Sequence, residues 1–258
     1  ALPQAINRRT PIRVPDRLDP DLGAFLGYLT GDGHLGRAKR HVGFTTMDDE
    51  QKDRFVALAE TLFGVGPTVK RDGTRWRIFV HSETLSDFLV EEFGLRTGRS
   101  AREKIIPDAV LRSPEPVVRA FVRAYFDCDG YAGSHGVILS TASERISEQL
   151  QLLLLNYGIL SRRRRQNDGC WHVHVAGASA ARFAERIGFG LERKASALEA
   201  YVRGRRWFKR EMWEDEVVSI EHGHGDVYDI SVSETHRYAA AGMINHNSFW
   251  HSTIMTRH

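Results

Sequence analysis

Two aspartates stand out for their placement. Asp32 closes the run Leu22-Gly23-Ala24-Phe25-Leu26-Gly27-Tyr28-Leu29-Thr30-Gly31-Asp32-Gly33. Asp129 closes a similar run, Arg119-Ala120-Phe121-Val122-Arg123-Ala124-Tyr125-Phe126-Asp127-Cys128-Asp129-Gly130, at an offset of 97. Each run reads as a helix with its acid at the C-terminal end, where the helix dipole disfavours a negative charge. Small residues recur at every fourth position: Gly23, Gly27 and Gly31 in one, Ala120, Ala124 and Cys128 in the other. Such a stripe lets two backbones approach closely. Stripes in matched register predict that the two helices pack together and bring their acids side by side. Two adjacent carboxylates are reasonable if divalent cations sit between them, and hard oxygen ligands suit Mg²⁺. Carboxylates bridging metals is also the arrangement that cuts phosphodiesters. A calcium loop fits less well: Asp127-Cys128-Asp129-Gly130 begins like one, but Ile138 stands where its glutamate belongs.

The elements that must position these acids also come in pairs. In the first unit, Asp19 caps a helix opened by Pro20 and ended by Gly33. A hairpin is predicted over 34–46 and a helix carrying Phe55, Leu58, Ala59 and Leu62 follows. A second hairpin over 67–81 turns at Asp72-Gly73, and a further helix covers 83–93. The second unit repeats this order, with hairpins near 131–141 and 160–176, the latter turned at Asp168-Gly169, and helices near 144–157 and 178–187. Trp76-Arg77-Ile78 aligns with Trp171-His172-Val173, and Phe93-Gly94-Leu95 with Phe189-Gly190-Leu191. The prediction is an α+β fold, αββαββα taken twice with pseudo-twofold symmetry.

The two runs resemble the paired LAGLIDADG motifs of homing endonucleases, in the two-motif, single-chain form. The resemblance covers roughly 15–210; Ala124, where the family has a glycine, and Arg123 beside it are its main departures. It implies a saddle of two four-stranded sheets over double-stranded DNA, with the motif helices as the central seam. It implies that Asp32 and Asp129 hold metal, with Gly31 and Cys128 as further ligands. The metal implied is Mg²⁺ or Mn²⁺, with Ca²⁺ bound without supporting cleavage. Lys104, in Lys104-Ile105-Ile106-Pro107, falls where the family has a catalytic lysine, and Lys194 is its rough counterpart.

The hairpins agree with a DNA surface. Trp76, Ile78 and Val80 alternate with Arg75, Arg77 and His81, and Trp171, Val173 and Val175 alternate with His172 and His174. Nearby stand Lys70 and Arg71, the run Arg162-Arg163-Arg164-Arg165, and, in the first hairpin, Arg37, Lys39, Arg40 and His41. Basic side chains on a sheet whose other face is apolar make a surface for phosphates and base edges.

Charge marks a boundary near 210. The whole chain has 258 residues and a formal charge of +3. Residues 211–236 carry eight acidic side chains and no lysine or arginine, so the body before them is strongly basic. A basic body facing an anionic partner is the simplest reading. After the boundary the pattern turns to short strands: 217–220, 227–232, 235–239 and 242–248. This segment resembles the C-terminal splicing blocks of inteins, through Val227-Tyr228-Asp229, His236 and His246-Asn247-Ser248. The residues suit that chemistry. The Asn247 amide can attack its own carbonyl and cut the chain after itself. His246 assists at that peptide bond, His236 serves as base or relay, and Ser248 supplies the hydroxyl nucleophile. An intein also has an N-terminal Cys or Ser and a Thr-x-x-His block. Here the sequence starts at Ala1, so those parts are expected from a separate N-terminal intein fragment, or to be missing.

The expected organisation is a connector over 1–14, repeats over 15–112 and 113–210, a small all-β splicing segment over 211–247, and a host-protein remnant over 248–258. That remnant opens Ser248-Phe249-Trp250-His251-Ser252, which faintly resembles stage V sporulation protein R-like proteins. Composition is globular, with 41% hydrophobic and 27% charged residues, which excludes disorder. No apolar run is long enough to span a bilayer, so no membrane partner is expected. Cys128 and Cys170 do not make a disulfide framework, so a reducing, cytoplasmic setting is expected. The two-motif, single-chain form implies a monomer. The sequence reads as an intein-encoded, Mg²⁺-dependent, site-specific endonuclease for a long asymmetric target, the inteinless host gene. Its rivals are a splicing element with a decayed nuclease and a non-catalytic DNA-binding regulator.

Overall fold

The computed structural model describes residues 12–36, 41–96, 98, 100–204, 219–226, 232–233, 237–240 and 243–246. The chain divides into two compact units, 1–209 and 210–258. In the first, α1 (Pro20–Asp32) leads into β1 (Gly33–Leu35) and β2 (Val42–Thr46). Then come α2 (Asp49–Phe63), β3 (Thr68–Asp72), β4 (Arg75–Val80) and α3 (Glu83–Phe93). A 3-10 turn (Ala101–Glu103) and the short α4 (Asp108–Leu111) connect to α5 (Glu115–Asp129), β5 (Gly130–Gly133) and β6 (Gly136–Thr141). The second half closes with α6 (Glu144–Asn156), β7 (Arg162–Arg165), β8 (Trp171–Val175), α7 (Gly177–Arg186) and α8 (Glu192–Arg203). The predicted order is present in both halves, with α8 as an addition. Its signal was in the sequence: Lys194, Leu198 and Tyr201 recur at helical spacing and all three are buried.

The two antiparallel sheets share one topology, β1-β2-β4-β3 and β5-β6-β8-β7. Their registers match as well. Thr46 pairs with Trp76 and Val42 with Val80, as Thr141 pairs with Trp171 and Val137 with Val175. Gly73 and Gly169 turn the two outer hairpins in the left-handed region, with φ of 59° and 82°. Side chains cap the helices: Asp19 accepts from Leu22 N, Asp48 from Gln51 N, Ser82 from Leu85 N and Ser143 from Ile146 N. Aromatic rings fill the space between sheet and helices in each half. Phe55 stacks on Phe25 and Phe44, with ring centroids 5.1 and 4.3 Å away. Phe183 packs on Phe126 and Phe189 at 4.7 and 5.6 Å.

Helices α1 and α5 form the seam. A Cβ on Gly23 would lie 2.8 Å from the Val117 carbonyl oxygen. One on Gly27 would lie 2.9 Å from Ala124 Cβ and press on the Phe121 carbonyl; one on Gly31 would meet Cys128 Sγ at 2.7 Å. The contacts advance together along both helices, so the helices run parallel and their C-termini meet at one end. At its start the stripe differs from the sequence pairing: Gly23 abuts Val117.

In the second unit the described strands are β9 (Arg237–Ala240) and β10 (Met243–His246), an antiparallel pair that sets His246 opposite Arg237. Of the splicing residues, His236, Asn247 and Ser248 lie outside the described residues, as do Arg37, Lys39 and Arg40. Among the described residues, no helix is long and apolar enough to cross a membrane.

Candidate nuclease centre and nucleic-acid interface

Asp32 and Asp129 end the two parallel seam helices and interact. Burial, then the neighbouring Asp32 charge, pushes the Asp129 carboxyl up to about 7, while Tyr125 hydrogen-bonds it. Burial raises the Asp32 carboxyl too, against a hydrogen bond with Cys128 and the pull of Lys104 and Lys194. Asp32, Gln51, Arg75, Cys128 and Lys194 line a cleft of about 680 Å³. Gln51 is buried, accepts from Thr46 Oγ1 at 2.5 Å and donates to Cys128 Sγ at 3.2 Å.

The two lysines occupy equivalent places. Lys104 Nζ donates to the carbonyls of Thr30, Gly31 and Gly33 at 2.8, 2.7 and 3.3 Å. Lys194 Nζ donates to those of Asp127, Cys128 and Gly130 at 2.6, 3.3 and 2.6 Å, and to Phe126 at 3.3 Å. Each ammonium thus caps the C-terminus of a seam helix, where orphan carbonyls and the dipole favour a cation. The lysines therefore supply charge balance that the sequence reasoning had left to a metal alone. Burial lowers the pKa of both, and the Asp129 and Asp32 carboxylates oppose that at Lys104.

The donor set suits a divalent cation of the magnesium type. Two carboxylates at the tips of adjoining helices act on one another electrostatically, Asp32 exposed and Asp129 half-buried. Among the described residues no group of three or more His, Cys, Asp or Glu could close a protein-only shell. A cation that keeps its waters and takes phosphate oxygens from a substrate fits such a pair. Asp32 and Asp129 would hold it. The Gly31 and Cys128 carbonyls, expected as ligands, each already accept from a lysine.

One buried acid carries no role in the sequence reading. Asp127 is 2% exposed. Its Oδ1 accepts from Gly190 N and Leu191 N at 2.8 and 3.3 Å, at the entry to α8, and its Oδ2 accepts from Tyr28 at 3.3 Å. Thr30 takes its place in the first repeat and donates to the Leu26 carbonyl.

Strand parity sorts the cationic residues. In the first sheet Arg75, Arg77 and Lys70 share the face turned from the helices, with Lys70 directly opposite Arg77. Two cations opposite each other are unfavourable without an anion nearby; Arg77 pairs with Asp72 at 2.7 Å. In the second sheet Arg162 lies opposite His174 and Arg164 opposite His172 on the corresponding face. His174 Nε2 also reaches the His135 carbonyl at 2.7 Å. Arg71, Arg163 and Arg165, grouped with the others by sequence, belong to the other parity. Arg71 lies over the Trp76 ring at 4.7 Å. Arg163 lies over Trp171 at 4.6 Å and pairs with Glu148 at 3.0 Å.

Duplicated sheets, a parallel two-helix seam and acids at its tip define the LAGLIDADG fold, and residues 116–188 match the LAGLIDADG-like domain. Among solved structures, the homing endonuclease I-DmoI superposes with a TM-score of 0.53 at 16% identity, covering 71% of this chain and 99% of that one. Its complex with DNA and Mn gives 0.52 at 14% identity, covering 66% and 97%. By sequence, the chain is 36% identical over 192 residues to a replication factor C small subunit of Methanocaldococcus jannaschii, covering 71% of this chain and 10% of that protein. It is 34% identical over 154 residues to part of the A-type ATP synthase of Pyrococcus abyssi, covering 59% of this chain and 15% of that polypeptide. A DNA polymerase of Thermococcus hydrothermalis is 29% identical over 252 residues, covering 88% and 15%. The chain thus spans only a tenth to a fifth of the length of the curated relatives it matches.

Proposed function

We propose that this chain is a LAGLIDADG homing endonuclease carried by an intein, and that it makes a double-strand break in a long asymmetric DNA site. The observation that carries the nuclease reading is the Asp32–Asp129 pair at the seam tip, with the Asp129 carboxyl pushed up to about 7. The two like charges repel each other, and a divalent cation between them would relieve that repulsion. A divalent cation held by Asp32 and Asp129 would supply activation of water and stabilisation of the leaving oxygen. The protein's part is to hold the two carboxylates at the seam tip, with Lys104 and Lys194 keeping the helix ends in place. Arg75, Arg77 and Lys70 in one sheet, with Arg162, Arg164, His172 and His174 in the other, form the DNA surface. Arg71, Arg163 and Arg165 support it from behind by stacking or strand pairing.

The intein reading is supported by the relatives themselves. A replication factor, an ATP synthase and a DNA polymerase are proteins of different kinds, yet a member of each matches this chain over a small share of its length. An element inserted into unrelated hosts gives that pattern. In the second unit, His236, His246, Asn247 and Ser248 would perform the C-terminal cleavage and transfer chemistry.

The test uses plasmids carrying the host gene joined across the segment that encodes this chain, and the same gene with the segment in place. The joined gene alone should be linearised, and only with Mg²⁺. Asp32→Asn and Asp129→Asn should abolish cutting while retaining the gel shift. Tight, specific binding by wild-type protein with no cutting in Mg²⁺ or Mn²⁺ would overturn the nuclease assignment in favour of a regulator.

A further inference from the structure

Each lysine caps its own repeat but is anchored by the other. Lys104 donates to the end of α1, yet its own carbonyl accepts from Ser143 Oγ at 2.7 Å, at the head of α6. Two residues on, Ile106 exchanges both backbone groups with Gln149 of α6, N to Oε1 at 3.0 Å and O from Nε2 at 3.4 Å. Lys194 donates to the end of α5, yet the chain entering its helix is held by α2 of the first repeat. Arg54 Nη2 donates to the Gly190 carbonyl at 2.7 Å, and Glu50 Oε2 accepts from Glu192 N at 2.9 Å. Glu50 Oε1 binds Arg54 at 2.8 Å, which locks the two together. The Glu192 amide and Arg54 hold the Glu50 carboxyl below its usual range.

Ordinary interface packing does not explain this arrangement well. Glu50 and Arg54 are 38% and 46% exposed, so water could satisfy them at little cost. Both are nevertheless committed to main-chain groups next to the lysine of the other repeat. The α2 and α6 helices occupy equivalent places in their repeats, and each grips the segment that delivers the other repeat's lysine. Main-chain anchors of this kind fix position to a fraction of an ångström, which is what a catalytic group needs.

We propose that Glu50 and Arg54 on one side, and Ser143 and Gln149 on the other, are positioning residues, so that the lysine at each helix tip is set from the opposite repeat and each DNA strand is cut under control of the half that does not cut it. This rests on the nuclease reading above. Contacts within the repeat, such as Asp127 with Gly190 and Leu191, hold the start of α8, and the anchors from the opposite repeat then complete the placing of the lysine.

The experiment uses the full chain and a target duplex with a different fluorophore on each strand. Glu50→Ala should slow cutting of one strand by about tenfold or more, the scale expected for a catalytic group displaced by a fraction of an ångström, with the other strand nearly unaffected. Gln149→Leu should slow the opposite strand. Glu50→Gln keeps an acceptor for the Glu192 amide and should recover most of the rate. Competitive acetylation read by mass spectrometry provides a second measure that needs no cleavage: Glu50→Ala should expose Lys194 and not Lys104, and Gln149→Leu the reverse. Equal slowing of both strands in each variant, with both lysines labelled alike, would mean the contacts only hold the fold together. If wild-type protein cuts neither strand, the nuclease reading falls, and the labelling pattern alone upholds or overturns the cross-anchoring.

Discussion

Gly27→Ala sets two well-known effects against each other. In an exposed helix, replacing glycine by alanine gains about 1 kcal/mol of helix propensity. At Gly27 the new methyl would stand 2.9 Å from Ala124 Cβ and press on the Phe121 carbonyl of α5. The second neighbour is backbone in the middle of a helix, so it cannot swing aside as a side-chain tip would. The helices must separate along a seam flanked by Leu26, Phe121 and Val122, all fully buried. Overpacking of this kind costs about 1–3 kcal/mol, and the upper end applies where backbone must move. The net expectation is a loss of about 2 kcal/mol, which for a unit spanning residues 1–209 lowers Tm by roughly 4–8 °C. Gly66→Ala is the control, since its Cβ would meet only Glu60 Oε1 at 3.8 Å and stability should hold or rise slightly. Urea and thermal unfolding would measure both. A Gly27→Ala protein as stable as wild type would mean the helices are not held at backbone contact, and nothing would then bring Asp32 to Asp129.

Replacing Arg75 and Arg77 by alanine should weaken DNA binding by roughly 1–3 kcal/mol per base-edge contact, or flatten the salt dependence if they meet phosphate; unchanged affinity and slope in a titration would move the interface elsewhere. In metal-free buffer, Asp129 binds its proton more tightly folded than unfolded, so the stability it contributes is present below about pH 4 and is lost as pH rises through about 7. The span from 3.8 to about 7 corresponds to at most roughly 4 kcal/mol. Asp129→Asn should flatten the fall in Tm between pH 5 and 8, and an equally steep fall in the variant would assign it to other groups. In the second unit, supplying an N-terminal fragment with a Cys or Ser start and a Thr-x-x-His block should release the 248–258 peptide, and Asn247→Ala should abolish that release, because alanine has no amide to attack with. Mass spectrometry showing release from that variant would identify the cut as proteolysis.

The sequence alone determined the duplication and its seam, because helix stripes and strand alternation are short-range patterns written directly into residue spacing. Gly27 against Ala124, Gly31 against Cys128, and Trp76 in register with Trp171 were all legible on that basis. The two acids at matched helix ends were legible too. What the sequence left open were features set by strand register and by contacts between distant residues. Arg162-Arg163-Arg164-Arg165 has no alternation to read, so only the pairing with β8 decides that Arg162 and Arg164 share one face and Arg163 and Arg165 the other. The match between Lys104 and Lys194 was only approximate in sequence, because the linkers before them differ in length. Their shared set of helix-end carbonyls, 64 to 74 residues away, makes the equivalence clear. Asp127 carried no assignment from sequence, and only the arrival of α8 gives it the Gly190 and Leu191 amides as partners. A hydrogen bond between residues that far apart leaves no periodic trace in the chain, so tertiary packing alone assigned these roles.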